Sequence, residues 1–478
     1  MLERINEKCA VAGFVGVTPE ISGSVEIYEA LYAMQHRGAE ASGIVSEPEY
    51  GNIRYHRRNG LVRDVYSQEN IDFLSGSSAI GHNRYSTNGS KTEHYQPVID
   101  KPLGYALAHN GNLPDTTKLA ERFSKYNINT SDLNDSELMG IEIAQRIRRG
   151  SSLPEAVEGS FELFEGAFSS VAMHNGLVVA FRDSSGIRPL ALGQSEQGYV
   201  VTSETCGLDI IGAEYIREVK PGEMITISRY GIDSKQIAEP NGKPKLDIFE
   251  FVYFARHDSY LYGKSVNEIR YNFGRKLAEE HALESTDSRG LLVVPVPDTS
   301  IPAAEGYSDT LGLDNRQVII KNRYIGRTFM GGNQNIRKEQ LRRKHNMIAE
   351  PIKGRDIVII DDSIVRLNTM PRLVELAKYL GAKSVSVLIA SPPVRFPDYY
   401  GIDTPEQSEL AAANMTINQM RDKINCDYLG FLSLRGMVDA TGFGYEDFNL
   451  SCFNGDYPIP IGKHSSSVKK PISMQYVN

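Results

Sequence analysis

The chain is poor in cysteine, with four thiols in 478 residues. Cys9, Cys206, Cys426 and Cys452 lie far apart and form no C-x-x-C pair. Neither a disulfide framework nor a zinc ribbon is expected at that density. Long apolar runs are missing too, since no stretch approaches the roughly 18 residues that a membrane-spanning helix requires. The first residues, MLERINEK, carry mixed charges and lack the apolar core of a secretion signal. A basic surplus is also lacking: 60 acidic against 52 basic side chains give a formal net charge of −8. That balance argues against nucleic acid as the main partner, because phosphate neutralisation needs positive charge. What remains is a cytoplasmic, reduced enzyme or binding protein with no membrane partner. A local basic pocket for a small phosphorylated molecule is still open.

The length suggests about two to four domains. Short strands and hairpins dominate the first half, with two good helices. Residues 24–35 place Ile27, Leu31 and Met34 on one helical face. Residues 135–149 begin at Asp135, read as the capping residue, and stop at a cationic turn followed by Gly150. Asn175-Gly176 between apolar runs is a strong hairpin signal. Around residues 238–247 the composition turns to Pro, Gly, Lys and Asp, as in a linker. Beyond it, a helix opens with Ser265-x-x-Glu268, and the Val/Ile-rich runs LLVVPVPD, QVIIKNRYIG, DIVIIDDS and SVSVLIASPP follow. Such continuous runs predict a mostly parallel sheet covered on both faces. GKHSSSVKKP near the end predicts an extended or disordered tail.

The segment IVIIDDSIVRLNT predicts a buried strand ending in Asp361 and Asp362, then a turn into a helix. Strand ends and helix N-termini are where an open α/β sheet gathers anionic ligands. Paired acids there suit ribose hydroxyls or a hydrated Mg²⁺. An ordinary acidic loop is the blander reading. The segment resembles the phosphoribosyl-pyrophosphate (PRPP) signature of type I phosphoribosyltransferases. PVPDTS, ending at Ser300, and the basic stretch from Lys321 to Lys344 resemble two further loops of that family. The resemblance implies PRPP contacts from Asp361, Asp362, Ser363, Arg366, Asn368 and Thr369. It also implies charge on the pyrophosphate from Arg327, Arg337, Arg342 and Lys344, and Mg²⁺ held by Ser300, Asp361 and Asp362. Leu367-Asn368 stands where the family has Gly-Thr, which removes a glycine's freedom at positive φ.

CAVAGFVG begins at Cys9, and QHRGAEASGI, GHNRYSTNGS, LAHNGNL and NDSEL follow in order. Together they resemble the glutaminase domain of N-terminal-nucleophile (Ntn) amidotransferases. The resemblance implies Cys9 as nucleophile, freed by self-cleavage of the Lys8–Cys9 bond so that its α-amine can act as base. Asn110 and Gly111 would hold the oxyanion, and Arg84 and Asp135 the α-carboxylate and α-ammonium of glutamine.

Joined, the halves resemble the glutamine phosphoribosylpyrophosphate amidotransferase family, which opens de novo purine synthesis. The implied architecture is an αββα Ntn-hydrolase domain (9–237) after a propeptide (1–8). A linker (238–250), a Rossmann-like α/β phosphoribosyltransferase domain (251–445) and a tail (446–478) complete it. A homo-oligomer, dimer or tetramer, with purine-nucleotide feedback is implied as well. Some members carry an iron–sulfur cluster on four cysteines. Here only Cys452 matches a ligand position, with Asn449 and Asp398 at others, so no cluster is expected. Cys206 and Cys426 are read as buried structural thiols. The altered Leu367-Asn368 loop keeps two alternatives open: a glutaminase with another phosphosugar specificity, or a PRPP-binding regulatory protein.

Overall fold

The computed structural model describes residues 9–49, 52–84, 94–285, 290–321, 345–402, 404 and 406–476. In the N-terminal half, two antiparallel sheets lie face to face. The first has seven strands, ordered Glu214–Glu218, Ala191–Gln194, Gly198–Thr202, Ala10–Gly16, Ser78–Arg84, Ala41–Glu49 and Asn52–Asn59. The second has six: Gly231–Gln236, Glu223–Ser228, Leu177–Arg182, Glu165–His174, Tyr105–Asp115 and Val98–Asp100. Side-chain alternation explains the layering. Ala10, Ala12 and Phe14 face the helix Gly23–Ala33 with Ile27 and Leu31. Their neighbours Val11 and Val15 turn the other way, onto Ala106, Ala108, Val171 and Val178 of the second sheet. Beyond that sheet, Leu107, Phe168 and Phe181 meet Leu138, Met139 and Ile143 of the helix Asp135–Arg148. The layers are helix, sheet, sheet, helix. The hairpin turns at Asn175 and Gly176, both at positive φ (51° and 74°).

Residues 238–245 bridge the halves, but Leu246, Phe249 and Phe251 already enter the second core. There a five-stranded parallel sheet runs in the order Asp314–Asn315, Leu292–Pro295, Asp356–Asp361, Ser384–Ile389 and Tyr428–Phe431. Val293, Val358 and Ile360 pack on the helices Val266–Glu280 and Ile301–Leu311. Val294, Ile357 and Ile359 pack on Met370–Tyr379 and Ile417–Ile424. Apolar cover on both faces is why these strands read as unbroken Val/Ile runs.

Three expectations change. QVIIKNRYIG does not join the parallel sheet: Ile319–Lys321 pairs antiparallel with His345–Met347 in a separate ribbon, with Ile320 exposed. Asp135 does not cap its helix. Asn134 accepts from the Glu137 N–H at 2.9 Å and Glu137 accepts from the Asn134 N–H at 2.9 Å, a reciprocal box that leaves Asp135 inside the first turn. The final segment is docked rather than loose. Phe448–Asn449 pairs with Leu246–Asp247, and Phe453 stacks on Phe249 at 5.3 Å. Arg395 donates to the Ser473 carbonyl at 2.6 Å. Its polar composition hid these few buried anchors.

Candidate active site

Cys9 immediately precedes the Ala10–Gly16 strand and is partly exposed. Ala10 pairs with Asn83 of the neighbouring strand. Continuing that register by one residue sets Arg84 opposite Cys9. From the second sheet, Asn110 follows Ala106 and Ala108 on the face that looks back at the first. Its amide Nδ2 donates to Ser203 Oγ at 3.5 Å, and that hydroxyl accepts from the Val11 N–H at 2.9 Å. Through that hydroxyl Asn110 is tied to Val11, two residues from Cys9. Its Oδ1 is buried without a partner among the described residues, a condition uncommon for a buried polar atom.

Gly111 has φ +151°, and a Cβ there would lie 2.0 Å from the Ala167 carbonyl oxygen. Only glycine fits. Asp135 closes the group: its carboxylate accepts from the Leu113 N–H at 3.1 Å and the Ser136 N–H at 2.8 Å. The two sheets are pinned behind the site where His82 Nε2 meets the His109 carbonyl at 3.2 Å. Burial, then the neighbouring His109 and Arg84, push the His82 imidazole down to about 3.

The phosphate end lies at the carboxyl edge of the parallel sheet, where Asp361 ends its strand. Ser300, capping the helix Ile301–Leu311, donates to Asp361 Oδ1 at 3.1 Å. Thr299 donates to Asp362, as does Ser363 at 2.7 Å. These side chains form an all-oxygen donor set, which suits a hard cation sharing its coordination with water and substrate phosphates. Among the described residues, no group of three or more His, Cys, Asp or Glu side chains is placed to hold a metal ion. Mg²⁺ needs only one or two protein carboxylates when substrate oxygens complete the shell.

Not every expected residue joins this group. Arg366 turns to Glu409, with Nε–Oε2 at 2.9 Å. Asn368 is exposed, and Thr369 stands at the N-terminus of the helix Met370–Tyr379. Leu367 adopts φ +59° although it is not glycine. Its side chain is buried with Ile364, Met370 and Leu373. The left-handed turn survives the substitution, with apolar burial offsetting a backbone cost of about 1–2 kcal/mol. Arg327, Arg337, Arg342 and Lys344 lie outside the described residues.

Cys452 is buried, as are Asn449 and Asp398. Burial, then the charges of Asp398 and Asp247, push the Cys452 thiol well up. A cluster held by cysteines needs four of them. One thiol among oxygen donors does not fit. Cys206 and Cys426 are buried, and burial raises both thiols.

The geometry agrees with comparisons to known proteins. The glutamine amidotransferase domain family matches residues 82–209. The amidophosphoribosyltransferase of Synechococcus elongatus is 41% identical, with 96% of this chain and 93% of that protein aligned. The chain belongs to the amidophosphoribosyltransferase family. That of Bacillus subtilis is 36% identical over 96% of each chain. The solved glutamine PRPP amidotransferase of B. subtilis, complexed with ADP and GMP, superposes with a TM-score of 0.84 at 34% identity, covering 95% of this chain and 98% of that one.

Several residues of this family member had no role assigned from sequence, some of them inside the motifs quoted above and some outside. Arg37, in QHRGAEASGI, donates through Nε to the Cys9 carbonyl at 3.3 Å. Its other nitrogens reach the buried carboxylates of Glu204 and Glu250. Burial alone would raise Glu204, but the His36 and Arg37 charges hold it well below the usual carboxylate range. Gly401, in FPDYYGID, packs directly on Gly111, and Asn112 Nδ2 donates to the Tyr399 carbonyl at 2.8 Å. The signal was a charged or glycine residue inside an otherwise apolar motif. Its partner, some 170–290 residues away, could not be read from the chain.

Proposed function

We propose that this protein transfers ammonia from glutamine to C1 of PRPP, giving 5-phosphoribosylamine, glutamate and pyrophosphate, the first step of de novo purine (IMP) biosynthesis. The observation that carries the reading is one chain holding both a glutaminase group and a strand-end acid pair, within a 41% identity spanning 96% of its length. The alternatives of another phosphosugar or a purely regulatory role are disfavoured, since a regulator needs no nucleophile group and the loop keeps its left-handed turn at Leu367.

In this reading Cys9 is the nucleophile. Cleavage of the Lys8–Cys9 bond frees an α-amine titrating near ~8, matched to take the thiol proton at neutral pH. The sulfur attacks the glutamine carboxamide carbon, and the developing oxyanion accepts from Asn110 Nδ2 and the Gly111 N–H. Collapse expels ammonia and leaves a glutamyl thioester, which water hydrolyses. Arg84 pairs with the α-carboxylate and Asp135 with the α-ammonium.

At the other end, Asp361 and Asp362 take the ribose hydroxyls. The Ser363–Thr369 backbone N–H groups and the Thr369 hydroxyl take the phosphate. Arg366 and Asn368 contribute on reorienting, with Arg327, Arg342 and Lys344 supplying charge to the pyrophosphate. Ser300, Asp361 and Asp362 would hold Mg²⁺, whose charge stabilises the departing pyrophosphate. No iron–sulfur cluster belongs to this reading. A cytoplasmic homo-oligomer, dimer or tetramer, with purine nucleotides as feedback ligands, does belong. Support for the feedback comes from the ADP and GMP in the B. subtilis relative. Among the described residues no helix is long and apolar enough to cross a membrane.

The test follows glutamine hydrolysis with and without PRPP and Mg²⁺, and pyrophosphate in parallel. PRPP-stimulated hydrolysis with pyrophosphate release is expected; neither appearing rejects the reading. Intact mass should show loss of residues 1–8, and full activity in a chain retaining them rejects the α-amine as base.

A further inference from the structure

We propose that Glu204 is a positioning residue that holds the nucleophile segment and the phosphate-side loops in one register, with His257 carrying that contact on to Asp298. The proposal rests on the two-site function above and names the residues through which its halves communicate.

Glu204 is fully buried, and its two carboxylate oxygens face opposite halves of the protein. Oε1 accepts from Arg37, and His36 Nε2 lies 2.8 Å away. Arg37 in turn donates to the Cys9 carbonyl. Oε2 accepts from the Arg256 N–H at 2.9 Å and from Ser259 Oγ at 2.8 Å, both on the segment leading into the second domain. The adjacent Thr205 Oγ1 accepts from the Tyr260 N–H at 2.8 Å. A single carboxylate therefore ties the 35–37 turn to residues 256–260.

From there the contact continues through His257. Its Nδ1 lies 3.3 Å from Arg270 Nη1, and its ring also hydrogen-bonds the backbone of Asp298. Asp298 precedes Thr299 and Ser300, the hydroxyls on the acid pair, and pairs with Lys321 at 3.0 Å. Arg270 is itself buried, donates to the Phe251 and Ala255 carbonyls, and feels the charge of Asp362. A phosphate ligand that reseats the 297–300 loop thus acts on His257, and through residues 256–259 on Glu204, Arg37 and Cys9. Buried charge-assisted hydrogen bonds transmit such a shift because their geometry is costly to distort. Coupling of this kind has content only as a difference between two ligation states.

The decisive experiment compares wild type with His257→Ala, His257→Asn and Glu204→Gln. Three quantities are read: glutaminase without PRPP, glutaminase with saturating PRPP and Mg²⁺, and pyrophosphate release driven by added ammonia. For His257→Ala, unstimulated glutaminase and ammonia-driven pyrophosphate release are expected unchanged, while PRPP stimulation falls about tenfold, within the usual span of allosteric couplings. His257→Asn, which keeps a hydrogen-bonding side chain, should recover part of the stimulation. Glu204→Gln should lower glutaminase kcat more than KM, and adding His257→Ala to it should cost no further stimulation. Full stimulation in His257→Ala, or additive losses in the double variant, overturns the proposal. A wild type that releases pyrophosphate but whose glutaminase ignores PRPP overturns the coupling and leaves the function standing. A wild type doing neither overturns both.

Discussion

The nucleophile end and the phosphate end are built on opposite plans. At the first, Asn110, Gly111 and the Cys9 strand sit on two interlocked sheets, and Asn110 Oδ1 is left unpartnered among them. At the second, the acids sit where one strand ends and its loop begins, and Thr299, Ser300 and Ser363 already donate to them. The glutaminase group is thus fixed before substrate arrives, the arrangement that electrostatic catalysis favours. The acid pair satisfies itself and, in the proposed function, would exchange internal bonds for a cation and an anion. Ligand binding can therefore move the second end far more than the first.

Gly401 tests the rigidity of the nucleophile end. It has φ +106°, and a Cβ would meet Gly111 Cα at 2.9 Å and its carbonyl oxygen at 3.0 Å. Gly401→Ala must push Gly111, which the proposed function places at the oxyanion, and misplacement near 1 Å can cost roughly 100-fold. Glutaminase kcat should fall by about that factor, while ammonia-driven pyrophosphate release holds. Glutaminase within about threefold of wild type would show that the segment is softer than its packing implies.

The two ends also differed in how much the sequence disclosed. The first half reads as short strands and hairpins, as found, whereas Asn110 was singled out only by the resemblance of its motif, since no periodicity marks it. Val/Ile runs gave the parallel sheet. QVIIK misled because an apolar run of that length does not say which sheet it joins. Nor could the tail be read, since a few buried anchors such as Phe453 hold many polar residues. Arg37–Glu204, Arg188–Glu250 and Gly401–Gly111 pair residues more than 60 apart, and chain order carries no information about such meetings.

Asp398 gives a test of intermediate size at the joint between the ends. Its Oδ1 accepts from the Tyr400 and Ile402 N–H groups at 2.8 and 2.9 Å, shaping the loop that carries Gly401. Its Oδ2 is buried without a partner among the described residues. Burial, then the nearby Asp247, push the carboxyl up to about 7. The folded state then holds a proton that the unfolded chain releases near its ordinary value of 3.8. More protons bound in the folded state mean that stability declines as pH rises from about 4 to about 7. Asp398→Asn keeps the accepting oxygen and carries no charge. It should melt about 2–4 °C above wild type at pH 8 and equal to it at pH 4. A constant difference across that range, followed by thermal unfolding, would remove Asp398 as the source.

The smallest expected effect probes the looser end, at Leu367. Two contributions oppose each other when leucine becomes glycine there. Removing a buried leucine costs about 2–5 kcal/mol, and relieving its left-handed backbone returns about 1–2 kcal/mol. Leu367→Gly should therefore lower Tm by a few degrees, about 2–4 °C for each kcal/mol lost. Glycine also removes the β-carbon beside the backbone N–H groups that face the phosphate, as close approach requires. The KM for PRPP should then fall about two- to fivefold, roughly 0.4–1 kcal/mol of binding, with ammonia-driven turnover otherwise intact. A lower Tm with a lower KM means that this chain exchanged ligand affinity for a buried anchor. A higher KM would mean that the leucine side chain itself shapes the phosphate loop, making the phosphate end as preorganised as the nucleophile end.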